Sequence, residues 1–168
     1  MNIRHATAAD AHAIAGIHVA GWRVAYRGLM PDSVLDAITI EQRRGFWKGV
    51  LSRPGVGKVA VGEAEGATIG FCSYGPTRDA DDASVAEIYA LYVQPGKWRQ
   101  GWGRALCEHA EREAAAREYE AMTLWVVKGN DPSRHFYERL GYRADGTERT
   151  DSELTGTPFI EVRYRKKI

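Results

Sequence analysis

The sequence predicts one mixed α/β domain, a layer of strands carrying helices. Three observations predict it. The 168 residues suffice for one sizeable core and contain no linker or internal repeat. Short β-rich runs alternate with segments of helical period along the chain. The run at 85–93, VAEIYALYV, is apolar for long enough to be a central strand buried on both faces.

The elements follow in order. Residues 2–6 alternate and read as a first strand. Residues 10–22 are alanine-rich, with Ile14, Ile17 and His18 on one helical side. Gly28 and Pro31 break the chain before a short helix in PDSVLDAI. Thr39 and Gln42 have capping-box spacing, so a helix begins there. It carries Phe46, Trp47 and Val50 and stops at SRPGVG. Residues 58–63 and 68–74 read as a hairpin turning at Glu65-Gly66. PTRDADDAS is a polar, acidic loop in which Asp79, Asp81 and Asp82 either attract a cationic acceptor or are simply solvated. A helix follows the central strand to about Tyr119, with Trp102, Leu106, Ala110 and Ala114 recurring on one face. Residues 122–127 form a further strand. Asp131 as N-cap and Pro132 at the first helical position open the next helix, which ends at Leu140-Gly141. The runs at 142–148 and 159–166 pair as the last strands.

Composition excludes several function classes. The formal net charge of +1 gives no global field for nucleic acid or an anionic membrane. No apolar run reaches the length of a membrane span, and the first residues lack a signal-peptide pattern. Cys72 and Cys107 have no metal or redox spacing, which predicts reduced thiols in the cytoplasm. The five histidines show no i,i+4 pairing among themselves, so no metal is expected. Cys107 falls in a helix and reads as a packing residue.

The stretch QPGKWRQGWGRAL at 94–106 carries the functional signal. A proline and glycines open a helix beside Lys97, Arg99 and Arg104. A helix N-terminus presents free N–H groups and partial positive charge, so it attracts phosphate. Gly101 and Gly103 let an anion approach the backbone, and they also fit a plain turn and cap. Two other phosphate motifs fail. A P-loop at GVGKV has Leu51 at its first glycine position and Val59 where Ser or Thr belongs. A dinucleotide fingerprint needs glycine at Leu106.

The arrangement around this stretch resembles the GNAT superfamily of acyl-CoA-dependent N-acetyltransferases. The family's pyrophosphate signature, [RQ]-x-x-G-x-[GA], falls on Trp98, Arg99, Gln100, Gly101, Trp102 and Gly103. Both glycines match and Trp98 departs. The later signature, N-x-x-A-x-x-F-Y-x-x-x-G-[FY], runs from Asn130 through Phe136, Tyr137 and Gly141 to Tyr142, with Ser133 in the alanine position. The resemblance covers about residues 85–142 by motif and the rest by element order.

The resemblance implies a GNAT-like mixed, mostly antiparallel sheet of about six to seven strands with helices on both faces. It implies acetyl-CoA as co-substrate, an amine acceptor and no metal, and it is compatible with a homodimer through the C-terminal strands. The backbone of Leu91, Tyr92 and Val93 would pair with the pantetheine arm where a bulge splays the strand from its neighbour. The Val93 N–H would polarise the thioester. Backbone N–H groups from Arg99 to Arg104 would hold the pyrophosphate, with Arg99 supplying charge that Trp98 lacks. Trp98 itself either packs on the core, the reading its aromatic ring favours, or stacks on the cofactor.

Glu87 falls where the family places a general base, among apolar residues that would favour its neutral form. A solvent-facing or ion-paired glutamate is the other reading. Tyr137 matches the family's general acid or is a packed helix tyrosine. Asn130 precedes the Asp131 cap, so capping does not explain it, and in the family it bonds the pantetheine arm. Trp22 and Tyr26 either line the acceptor wall or staple the first helix to the next. The implied reaction is acetyl transfer to a primary amine of a small molecule. The alternatives are acetylation of protein lysines or N-termini, and a CoA-binding regulatory domain without activity.

Overall fold

The structure is a computed structural model and describes residues 1–53, 55, 57–79, 83–152 and 155–168. Seven strands form one sheet: β1 (Asn2–His5), β2 (Lys58–Ala64), β3 (Ala67–Pro76), β4 (Val85–Val93), β5 (Ala121–Val127), β6 (Arg143–Asp151) and β7 (Phe159–Lys167), in the order β1-β2-β3-β4-β5-β7-β6. Every neighbouring pair is antiparallel except β4–β5. The apolar run VAEIYALYV is the middle strand, as its composition requires.

Five helices cover the two faces: α1 (Ala11–Ala25), α2 (Asp32–Ala37), α3 (Ile40–Ser52), α4 (Trp102–Ala115) and α5 (Asp131–Arg139). On one face Ile14 and Ile17 of α1 and Trp47 of α3 pack on Val59, Val61 and Phe71. On the other, Leu106, Cys107 and Ala110 of α4 pack on Cys72, Ala86, Ile88, Met122 and Leu124, joined by Phe136 and Tyr137 of α5. Both cysteines are free and buried, and burial pushes both thiols up, so neither is a ready nucleophile.

The helix ends follow local chemistry. Thr39 Oγ1 accepts from the Gln42 N–H at 3.2 Å, and Gln42 Oε1 accepts from the Thr39 N–H at 3.1 Å, completing the capping box. Gly141 takes a left-handed φ of 93° after α5, the conformation the sequence assigned it. The N-terminus of α5 differs from its sequence reading. Asn130 is the N-cap, its Oδ1 accepting from the Ser133 N–H at 3.3 Å, and Asp131 is the first helical residue. Asn can cap while Asp one position later favours the helix dipole, so both residues fit. No described helix is long and apolar enough to cross a membrane.

The feature that positions the site is a bulge in β4. Ser73 of β3 faces Ala90, but the next residue, Tyr74, faces Ile88, leaving Tyr89 as the extra residue. Before it, Ala86 and Ile88 face α4; after it, Leu91 and Val93 do, while Ala90 and Tyr92 face α1. The bulge bends β4 away from β5. The two strands pair only from Val85–Ala121 to Ile88–Leu124. Beyond that point the halves diverge and a wedge opens in the middle of the sheet.

Candidate active site

The wedge exposes a row of unpaired backbone groups. Strand N–H groups alternate between edges. The Gln94 N–H donates to Ile69 O at 2.8 Å, toward β3. The N–H groups of Leu91 and Val93 therefore point the other way, into the wedge. An extended ligand carrying amides can add there as a strand, and the Val93 N–H sits at its end as a donor to a carbonyl oxygen.

The start of α4 continues this edge. Arg99 and Gly101 have left-handed φ values of 59° and 87°. Left-handed residues turn successive N–H groups to one side, the geometry of an anion-binding nest. The N–H groups of Trp102, Gly103 and Arg104 lie in the first turn of α4 and have no intrahelical acceptor. Arg99 is exposed beside them, while Arg104 faces Glu108 at 3.6 Å. The Trp102 indole is buried against Gly62, so only its backbone can meet a ligand. A Cβ on Gly103 would lie 3.1 Å from the Phe136 ring, so this glycine also sets the approach of α4 to α5. Gln100 Nε2 reaches Gly96 O at 3.4 Å and steadies the loop.

Trp98 corrects one expectation. Its ring does not pack on the core: it is 42% exposed, and its Nε1–H donates to Val93 O at 2.7 Å. The indole N–H thus occupies the last carbonyl of β4 on the open edge. It links the strand terminus to the anion loop, a link that an aliphatic or acidic side chain here would not make.

Glu87 is fully buried, but its surroundings are not the apolar ones its sequence neighbours suggested. Its Oε2 accepts from the Arg78 N–H at 2.8 Å, and its Oε1 accepts from Arg78 Nε at 3.0 Å and from the same guanidinium's Nη2. Arg78 lies over the Tyr89 ring at 4.9 Å, and the Tyr89 hydroxyl donates to Pro76 O at 2.5 Å. The carboxyl group thus lies fully buried beneath an Arg78 side chain that is 53% exposed. Arg78 carried no sequence signal: it reaches Glu87 only because β3 and β4 are antiparallel neighbours.

Three tyrosines meet at the wedge. The hydroxyls of Tyr26 and Tyr92 lie close enough to influence each other's ionisation, and Tyr92 stacks on His18 at 4.7 Å. Tyr137, half-buried on α5, is close enough that its charge state bears on Tyr92, and that of Tyr26 on Tyr137. Burial pushes Tyr26 up to about 12 and holds Tyr92 and Tyr137 well above the usual phenol range. All three phenols are therefore protonated donors at neutral pH. Trp22, 4.3 Å from Tyr26 between ring centroids, is buried with Met30, Leu35 and Ile38. It staples α1 to α2, while Tyr26 reaches the wedge. Asn130 is buried at its cap, at the end of the β5–α5 turn.

Of the acids in the polar loop, only Asp79 lies among the described residues. Asp79 accepts from Arg163 at 3.0 Å, and Asp81 and Asp82 lie outside the described residues. Sequence reading also missed the cluster on the far side of the wedge. There Trp125 of β5 has Arg149 above it at 4.2 Å, and Arg149 is paired to Glu161 at 2.7 Å. β7 brings these residues together from distant positions.

The Acetyltransferase (GNAT) family model matches residues 22–142. The uncharacterized N-acetyltransferase YuaI of Bacillus subtilis (strain 168) is 30% identical over 162 residues, 96% of this chain and 90% of that protein. The L-amino acid N-acyltransferase MnaT of Escherichia coli (strain K12) is 29% identical over 84% of this chain and 79% of its own length. The PaiA N-acetyltransferase of Thermoplasma acidophilum, solved in complex with coenzyme A, shares the fold at a TM-score of 0.80 and 20% identity, across 99% of this chain and 98% of that one. The ribosomal-protein-alanine N-acetyltransferase of Brucella melitensis is 26% identical over the whole of both chains, with a TM-score of 0.74. With the family model matching residues 22–142 and these relatives matching along most of the chain, this protein is a member of the GNAT family of acetyltransferases and an N-acetyltransferase.

Proposed function

We propose that the enzyme moves an acetyl group from acetyl-CoA to the primary amine of a small molecule, in the cytoplasm, with both substrates bound together. The observation that carries this reading is the wedge. It offers unpaired N–H groups at Leu91 and Val93 for the pantetheine amides and, continuous with them, the nest at Arg99–Arg104 for the pyrophosphate. The coenzyme A in the Thermoplasma acidophilum neighbour supports the same occupant here.

The chain's residues then have these roles. Glu87, through water held beside Arg78, accepts a proton from the ammonium acceptor, because an alkylamine is mostly charged near neutral pH, with a pKa of about 10.4. The amine nitrogen bonds to the thioester carbon, and the Val93 N–H donates to the oxygen that gains charge. The carbon–sulfur bond breaks, Tyr137 donates its proton to the departing sulfur, and the nitrogen, left with one proton too many, loses it to solvent, from which Tyr137 is reprotonated. Holding both reactants in one wedge supplies much of the rate. Asn130 supports the pantetheine arm while capping α5, and Tyr26 borders the acceptor side.

Amino acids are the first acceptors to test, since one relative is named an L-amino acid N-acyltransferase. Acetylation of a protein N-terminus is the second reading, motivated by the ribosomal-protein-alanine relative. Incubation with acetyl-CoA and separate amino-acid and peptide libraries, read by mass and by thiol release, decides between them. Small-molecule products without peptide products support the first reading. The reverse overturns it, and no calorimetric binding of any acyl-CoA overturns both. Tyr137→Phe should lower kcat on the order of a hundredfold and leave acetyl-CoA affinity within a few-fold. Unchanged turnover removes the acid role.

A further inference from the structure

His5 ends β1, and His109 and Glu113 lie four residues apart on α4. Positions i and i+4 share a helix face, and the face carrying these two looks onto the end of β1. One ring nitrogen of each histidine and one Glu113 carboxylate oxygen all lie within 4.8 Å of one another. His5 Nε2 is 3.6 Å from Glu113 Oε2, and the two imidazoles meet edge to face with centroids 5.9 Å apart. A count of histidine pairs alone passed over this cluster, because its helical pair is a histidine and a carboxylate.

A second observation marks the same place. His109 Nε2 is buried with no hydrogen-bond partner. Tyr74, 3% exposed, lies edge-on to His109 at 6.5 Å, and its hydroxyl is also buried and unpartnered. Buried polar atoms of a native protein are ordinarily satisfied, and those that lack a protein partner call for water or an ion. One of these atoms belongs to a ligand-type side chain of the cluster and the other, the Tyr74 hydroxyl, to a ring packed against it.

We propose that His5, His109 and Glu113 form a binding site for a borderline divalent metal ion of the zinc class, with a solvent molecule completing the coordination. Two imidazoles and one carboxylate suit zinc, whereas calcium and magnesium prefer an all-oxygen set. Tetrahedral ligands about 2.0–2.1 Å from zinc stand about 3.3 Å apart, so the three groups close by at most about 1.5 Å. His5 and Glu113, whose side chains are 52% and 34% exposed, can rotate that far. The site is separate from the acetyl-transfer wedge. Glu113 lies eleven residues along α4 from Trp102, about 16 Å at the helical rise. Its role is structural: it ties β1, an edge strand of four residues paired only to β2, onto α4.

The test uses the untagged full chain, freed of metal with a chelator and titrated with zinc chloride in a calorimeter and a thermal-shift assay. One zinc ion per chain and a raised melting temperature are expected. His5→Gln, His109→Ala and Glu113→Gln should each weaken binding at least about tenfold and remove the thermal shift. Circular dichroism verifies that each variant folds, and His5→Gln, at a half-exposed edge position, keeps the test open if a helix variant does not fold. Saturation below one equivalent, undiminished affinity in folded variants, or equal binding of magnesium or calcium overturns the proposal.

Discussion

Glu87 has no exposed surface, yet both of its oxygens are engaged by Arg78. A glutamate that only anchors Arg78 and one that accepts a proton differ in a measurable way. Glu87→Gln should lower kcat/KM by about 10²-fold or more, while Arg78→Lys, which keeps the Glu87 carboxyl group, lowers it far less. Equal losses in the two variants mean that Glu87 serves to hold Arg78 and that another group accepts the proton. The resemblance to the family nominated this residue; the letter E within VAEIYALYV alone favoured a solvent-facing or ion-paired glutamate. The letters could not supply its partner, because a guanidinium nine positions away meets it through strand pairing and not through local period. Trp98 shows the same limit. The family signature marked its position, but only coordinates reveal that its indole N–H serves the Val93 carbonyl.

Between elements, the site depends on how closely β3 carries β4. A Cβ added at Gly70 would lie 2.8 Å from the Tyr92 carbonyl oxygen and 3.1 Å from Val93 Cγ2 and Leu106 Cδ1. Backbone cannot yield as a flexible side chain does. Gly70→Ala should therefore destabilise the protein by about 1–3 kcal/mol in urea unfolding and weaken acetyl-CoA binding with it, because the displaced backbone is the open edge. Full stability in that variant contradicts the packing account. The elements were legible where local chemistry specifies them: Thr39 with Gln42, Gly141, and the apolar middle strand. The α5 cap was misplaced by one residue, since Asn130 and Asp131 are both good capping types and their neighbours do not discriminate between them. The bulge at Tyr89 was anticipated only through the family, because no residue type in IYAL demands an unpaired position.

At the scale of the molecule, the α1–α3 side encloses a histidine that must stay neutral. His18 Nδ1 accepts from Trp47 Nε1 at 3.1 Å, and burial, helped by the positive charge of Arg43, lowers its pKa to about 3. In the unfolded chain it protonates below about 6.5. Between these values the unfolded state binds more protons, so stability is full above about pH 6.5 and falls as pH drops toward 3. The slope from this one group approaches 1.4 kcal/mol per pH unit. Urea denaturation across pH 4.5–8 should show that His18→Gln flattens this part of the curve, and an identical slope in the variant refutes the assignment. Element order was readable along the chain. The insertion of β7 between β5 and β6 was not, because strand order depends on edges meeting after long excursions.

The displaced register at Tyr89 has a further outcome, visible to deuterium. Central strands are normally the slowest part of a sheet to exchange their amide protons, since they open only with the whole fold. Here the amides of Leu91 and Val93 sit in the middle strand with no neighbour to hold them. They should exchange quickly in the free enzyme, while Ile88 in the same strand stays slow. Saturating coenzyme A should then protect both. Slow exchange at Leu91 and Val93 without ligand would mean that the two halves of the sheet close up in solution.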